Sequence, residues 1–201
     1  MITPSTLFEF VSYADTAPEA IGMIGGKLME YHTAELIQSV GCTYFKWIGM
    51  IREIGHGEKD TGQWDNRIFP IDYVVGASIF VSTDVLRIVG SMEEKYFLYF
   101  EEIDWALRLK KLGWQIGFCP EAKVYHKGGA TIKGYGDTTR MMDFYYARNR
   151  ILLARKFFPY TLPTLMVAFG WFAIRRLMRG QFDRVIMLVR IMIRPHLFFK
   201  E

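Results

Sequence analysis

Cysteine is scarce in this chain. Only Cys42 and Cys119 occur, far apart and with no CxxC or CxxH spacing, so a disulfide scaffold and a cysteine zinc site are both excluded. They read as buried thiols of a reducing compartment. No charged-then-apolar leader is visible at the start of the sequence. Long uncharged runs are also missing, with one exception at residues 157–174, and Pro159, Pro163 and Gly170 interrupt that one. No recognised nucleic-acid motif accompanies the basic residues, so no nucleic-acid partner is expected.

Apolar and aromatic residues are plentiful. With 201 residues, 51% of them hydrophobic and 16% aromatic, the chain can bury a real core and is not disordered. The formal charge of +4 hides an asymmetry: residues 1–139 hold 13 Lys and Arg against 18 Asp and Glu, and residues 140–201 hold 12 against 3. An acidic front of −5 thus precedes a basic tail of +9. Basic residues mixed with Phe, Trp, Ile and Met suit an anionic membrane surface.

The most unusual stretch is Tyr96-Phe97-Leu98-Tyr99-Phe100-Glu101-Glu102-Ile103-Asp104-Trp105-Ala106-Leu107-Arg108, where three carboxylates in four residues follow an aromatic run. Helical spacing puts Glu101, Asp104, Arg108 and Lys111 on one polar stripe and Trp105, Leu109 and Leu112 on an apolar one. Asp104 and Arg108, four apart, are expected to pair. Glu102 falls in register with Ala106 and Leu109 and is expected to face protein or a cleft. Acids in a first turn are favoured by the helix dipole, which accounts for all three structurally and also keeps a general base ionised. Downstream, Ala122 to Tyr125 reads as a short strand that delivers His126 to a glycine-bearing loop.

The remaining pattern is mixed. A helix is expected from Pro4 and Ser5 with Leu7, Phe8, Phe10 and Val11 on one face, then short strands at Ile21 to Ile24 and Leu36 to Val40. His56, Glu58 and Asp60 read as a solvated loop more readily than as a metal cluster. Ile71 to Val81 reads as the strongest strand, and its Gly76, Ala77 and Ser78 would admit a substrate or a packed helix close to the backbone. Ser82 and Gly90 bracket a short helix. Thr138 to Phe158 reads as a long helix whose Arg148 and Arg150 could pack or could grip a diphosphate. Asp183 to Phe199 reads as a basic amphipathic helix, and interfacial attachment of the tail is expected over spanning.

The residues Asp72 to Ser78, Tyr96 to Arg108, Gly113-Trp114, Pro120 and Tyr125-His126 through Ala130-Thr131 together resemble the C-terminal half of family-two inverting glycosyltransferases of the GT-A fold, rhamnosyltransferase-like enzymes above all. The resemblance implies an α/β chain: a partial GT-A domain with a mixed sheet over residues 1–137, its nucleotide-binding half absent; charge and amphipathic patterning give the expectation of basic membrane-associating helices over 138–201. It implies Glu102 as catalytic base in an acidic group with Glu101 and Asp104. It implies His126 as a ligand of Mg2+ or Mn2+, and Gly76, Ala77, Ser78, Trp105, Lys127, Arg148 and Arg150 as substrate contacts. The partners it implies are a nucleotide-sugar donor, a glycan or lipid-linked acceptor and a separate N-terminal half; the basic tail adds an anionic membrane surface. The expected location is cytoplasmic, at the inner face of the plasma membrane. The competing expectation is a truncated, non-catalytic fragment that docks on membrane or partner.

Overall fold

The computed structural model describes residues 1–128 and 138–193. They form a mixed α/β structure with helices α1 (Thr6–Thr16), α2 (Thr83–Val89), α3 (Glu101–Lys111), α4 (Thr138–Phe157), α5 (Leu162–Met178) and α6 (Phe182–Ile193). The strands are β1 (Ile21–Glu30), β2 (Ile37–Ser39), β3 (Cys42–Phe45), β4 (Met50–Glu53), β5 (Ile79–Phe80) and β6 (Gln115–His126). Among the described residues, none of these helices is long and apolar enough to cross a membrane. The chain divides into two compact units: residues 1–44, 51–92 and 102–128 in the first, and 45–50, 93–101 and 138–193 in the second.

The first unit is built around β1. Along one edge it pairs in parallel with β6, from Ile21 to Glu30, and along the other it meets β5 at Ile24–Gly25 and β2 at Leu28–Met29, both antiparallel. Eight of its ten residues are buried, as befits a strand covered on both faces. The expected strand ended at Ile24 because Gly25, Gly26 and Lys27 break the apolar run. Tertiary packing explains each of them. A Cβ on Gly25 would lie 2.4 Å from Val74 Cγ1, and one on Gly26 would lie 2.4 Å from the Ala122 carbonyl. Lys27 is fully buried, but its Nζ lies 2.9 Å from Asp60 and 2.5 Å from Asp65, while Lys123 holds the other Asp60 oxygen at 2.8 Å. A buried cation is tolerable only when so paired.

That network also settles the loop. Asp60 turns inward to the lysines, Glu58 accepts the Trp64 indole N–H at 2.9 Å, and His56 pairs with Glu53 at 3.1 Å. His56, Glu58 and Asp60 therefore diverge, as the solvated-loop reading has it for all but Asp60.

Three further expectations are corrected. The run Ile71 to Val81 is mostly irregular, with only Ile79–Phe80 in strand, because Tyr73 bridges Cys42 and Val75 to Ser78 form a turn closed by a 3.0 Å hydrogen bond. β-branched residues gave that segment its strand pattern; its hydrogen-bond partners lie elsewhere. On α1 only Thr6 and Phe10 are buried, so Leu7, Phe8 and Val11 stand exposed, and Phe10 stacks on Phe80 at 5.3 Å. Asp104, placed by periodicity on an outer polar stripe, is completely buried.

The second unit is helical. Ala147, Ile151 and Ala154 of α4, Leu165 and Phe169 of α5, and Leu188 and Ile191 of α6 form its core. α4 follows its expected boundaries closely, and α6 is seen from Phe182 to Ile193, the rest of the expected 183–199 helix lying outside the described residues.

Candidate functional site

α3 opens the site because its first residues carry the acidic group. Its preceding backbone is strained: Phe97, Tyr99 and Phe100 have φ of 60°, 65° and 77°, left-handed values that cost an ordinary side chain roughly 1–3 kcal/mol each. Within the second unit, α4 holds this segment. Asn149 Nδ2 lies 3.0, 2.7 and 2.8 Å from the carbonyls of Tyr96, Leu98 and Tyr99, and Arg148 Nη2 donates to Lys95 and, at 3.0 Å, to Tyr96. Tyr146 closes on Tyr99 and Phe100, with ring centroids 5.6 and 5.2 Å apart. Asn149 is thus a positioning residue, and along the sequence its signal is an amide in the middle of a helix, where amides are disfavoured without a partner.

The unit boundary falls between Glu101 and Glu102. Glu101 belongs to the second unit; burial raises its carboxyl above the ordinary range, and its Oε2 meets no hydrogen-bond partner among the described residues. Arg148 and Arg150 belong there too, both buried. The Arg148 guanidinium lies 4.8 Å from the Tyr145 ring, and that of Arg150 lies 4.4 Å from Tyr146 and 5.1 Å from Phe172.

The first unit carries Glu102, and its surroundings are distinctive. The half-buried carboxylate accepts the Gly76 N–H at 3.3 Å, and a Cβ at Gly76 would crowd it at 3.0 Å. Gly76 and Ala77 are exposed, whereas Ser78 is buried and accepts the Gly26 N–H at 3.2 Å. Glu102 thus sits at an open surface beside backbone that has no side chain to shield it. Cys42 lies near enough for the charges of Glu53 and Glu102 to add to burial, the main cause, in pushing its thiol up to about 11.

Two residues along the helix, the chemistry is different. Asp104 is spent on Arg108 at 2.7 Å, and Arg108 also donates to the carbonyls of Val89 at 2.5 Å and Ser91 at 2.7 Å. Trp105 is buried, with its indole N–H 2.8 Å from the Gly90 carbonyl. Asp104 and Trp105 therefore tie α3 to the end of α2.

His126 ends β6 directly opposite Glu30 at the end of β1, at the carboxyl ends of the parallel pair, the usual ligand end of such strands. Its Nδ1–H points at Gln38 Oε1, 3.1 Å away, which leaves Nε2 as the basic nitrogen. Lys127 is exposed, its Nζ 4.2 Å from the Tyr31 ring centre. Gly129, Ala130 and Thr131 lie outside the described residues. Among the described residues no group of three or more His, Cys, Asp and Glu is placed to hold a metal, so His126 supplies one donor and not a complete site.

No protein-family model matches the chain. It is 23% identical over 191 residues to the low-salt glycan biosynthesis hexosyltransferase Agl10 of Haloferax volcanii, a match covering 90% of this chain and 56% of that protein. It is 35% identical over 57 residues to the N-acetylglucosaminyl-diphospho-decaprenol L-rhamnosyltransferase of Mycobacterium tuberculosis, covering 28% of this chain and 19% of that one. A third relative, the dTDP-rhamnosyl transferase RfbF of Shigella flexneri, is 29% identical over 93 residues, 44% of this chain and 31% of the relative. The chain thus spans about half the length of the first of these relatives and less of the others. All three are sugar transferases, and the mixed α/β fold agrees with part of a GT-A-like domain.

Proposed function

We propose that this chain serves glycosyl transfer from a nucleotide-sugar donor to a glycan or lipid-linked acceptor, with inversion, and that Glu102 is the general base. The observation that carries the reading is the pairing of a half-buried carboxylate in a helix first turn with the bare backbone of Gly76 at an exposed surface. A helix N-terminus favours the ionised carboxylate, and the missing side chain at position 76 leaves room for an acceptor hydroxyl to approach it. Glu102 then takes the hydroxyl proton as the oxygen attacks the anomeric carbon and the nucleoside diphosphate leaves. One displacement of this kind inverts the centre.

Glu102 suits the base role better than its neighbours. Asp104 is neutralised by Arg108, and Glu101 is held toward its protonated form by burial. His126, with Nε2 basic, is suited to be one ligand of Mg2+ or Mn2+, whose charge would balance a diphosphate. Asn149 acts at one remove by fixing the strained backbone ahead of α3.

The test is a transfer assay with nucleotide-sugar donors in Mg2+ or Mn2+, alongside calorimetric titration of nucleoside diphosphates. Glu102→Gln is expected to lower turnover by about 10^3-fold while nucleotide affinity stays within about twofold, since a base acts on the acceptor and not on donor binding. Turnover in that variant close to wild type would remove Glu102 from the base role.

A further inference from the structure

We infer that the turn Phe45–Met50 and the outer face of α5 form one membrane-docking surface for a bilayer with anionic headgroups. Both segments belong to the second unit. α5 is apolar on two sides. Leu165 and Phe169 are buried in the helical core, while Val167 is 76% exposed, Trp171 61% and Ile174 51%, with Met178 following in the same stripe. A helix apolar on both faces needs cover on both.

The turn extends that outer face. Thr164 donates its hydroxyl to the Trp47 carbonyl at 2.6 Å, Trp47 and Tyr160 meet edge to face at 5.7 Å, and Lys46 reaches the Tyr160 hydroxyl at 3.2 Å. Ile48, Met50, Val167, Ala168 and Trp171 line an apolar groove of about 520 Å³ with Arg175 at its rim. Phe45, Trp47, Ile48 and Met50 are all exposed.

Charge and composition identify the occupant. Residues 45–50 and 157–182 contain no Asp or Glu, whereas Lys46, Arg175 and Arg179 border the apolar stripe. A single sign of charge around a bare apolar face complements anionic headgroups over a hydrocarbon layer. Trp47, Trp171 and Tyr160 are the residue types that favour the headgroup level. Because α5 is a continuous helix of 17 residues that is not long and apolar enough to span, it would lie in the plane of the interface.

Vesicle co-sedimentation of the whole chain tests this, with phosphatidylcholine alone and with phosphatidylcholine containing phosphatidylglycerol. The expected result is binding to the anionic vesicles, weakened roughly tenfold or more by Trp47→Glu with Trp171→Glu, whose exposed positions leave the circular dichroism unchanged. Lys46→Ser with Arg175→Ser should weaken anionic binding about thirtyfold and leave neutral binding alone. Brominated lipids should quench the wild-type fluorescence, and Trp47→Phe with Trp171→Phe should remove most of that quenching. No binding to anionic vesicles, or tryptophan variants that bind and quench like wild type, would overturn the proposal. Loss of a dimer in the glutamate variant, seen by sedimentation velocity without vesicle binding by wild type, would assign the face to a second copy instead. None of these readouts depends on sugar transfer.

Discussion

The two units dispose of their cations in different ways. In the first, Lys27 and Lys123 end on Asp60, Lys110 on Asp72 and Arg108 on Asp104. In the second, Arg148 ends on peptide carbonyls and ring faces and Arg150 reaches ring faces, while Glu93 serves both Lys95 and Lys156 and Asp143 serves both Arg176 and Arg184. The difference is one of supply: where acids are fewer than cations, a carboxylate such as Glu93 or Asp143 is shared between two cations and the buried arginines turn to carbonyls and π-faces. Asp60 and Asp104 are spent on structure, whereas the Glu102 carboxylate is met by a backbone N–H at an open surface.

Breaking an acid–cation contact in the first unit should have the largest effect on stability. Asp104→Ala strips the carboxylate from Arg108 inside protein, leaving it the carbonyls of Val89 and Ser91, and is expected to cost about 3 kcal/mol in urea unfolding. Asp104→Asn should recover part of that loss. In the second unit, Arg148→Met keeps the bulk but removes the donors to the Lys95 and Tyr96 carbonyls. About 2 kcal/mol is expected from thermal unfolding, together with faster amide exchange in residues 95–100.

The smallest effect is set by pH. Burial alone would raise the Asp60 carboxyl, but hydrogen bonds from Lys123 and Lys27 outweigh it and hold it at about 2, below the ordinary 3.8. A depressed carboxyl stabilises the fold above its unfolded value and loses that contribution as pH falls through the folded one. Unfolding followed between pH 4 and 2 should therefore reveal a loss of about 1–2 kcal/mol that is absent in Asp60→Asn. An unchanged slope in that variant would assign the titration to a carboxylate other than Asp60.

Much of this was legible along the chain. Ser82 caps α2 by accepting the Val85 N–H at 3.1 Å, Gly90 ends it with a φ of 79°, and the Asp104–Arg108 pair forms as its spacing requires. These are contacts within one turn of helix, so neighbouring residue types suffice to specify them. The full length of β1 and the irregular backbone of residues 71–78 are not legible in this way, because the deciding partners, Asp60, Asp65, Val74, Ala122 and Glu102, are distant in sequence.

The sequence by itself determined the two-part charge distribution, the helices with clear ends, the acidic start of α3 and the resemblance to sugar transferases. Each follows from local spacing or composition. Only the tertiary structure decided that Asp104 is buried and Glu102 open beside Gly76, that Asn149 and Arg148 hold a left-handed aromatic segment, and that the turn at Trp47 joins the outer face of α5. Those outcomes depend on which surfaces lose water against which partners, and burial is a property of the folded chain as a whole.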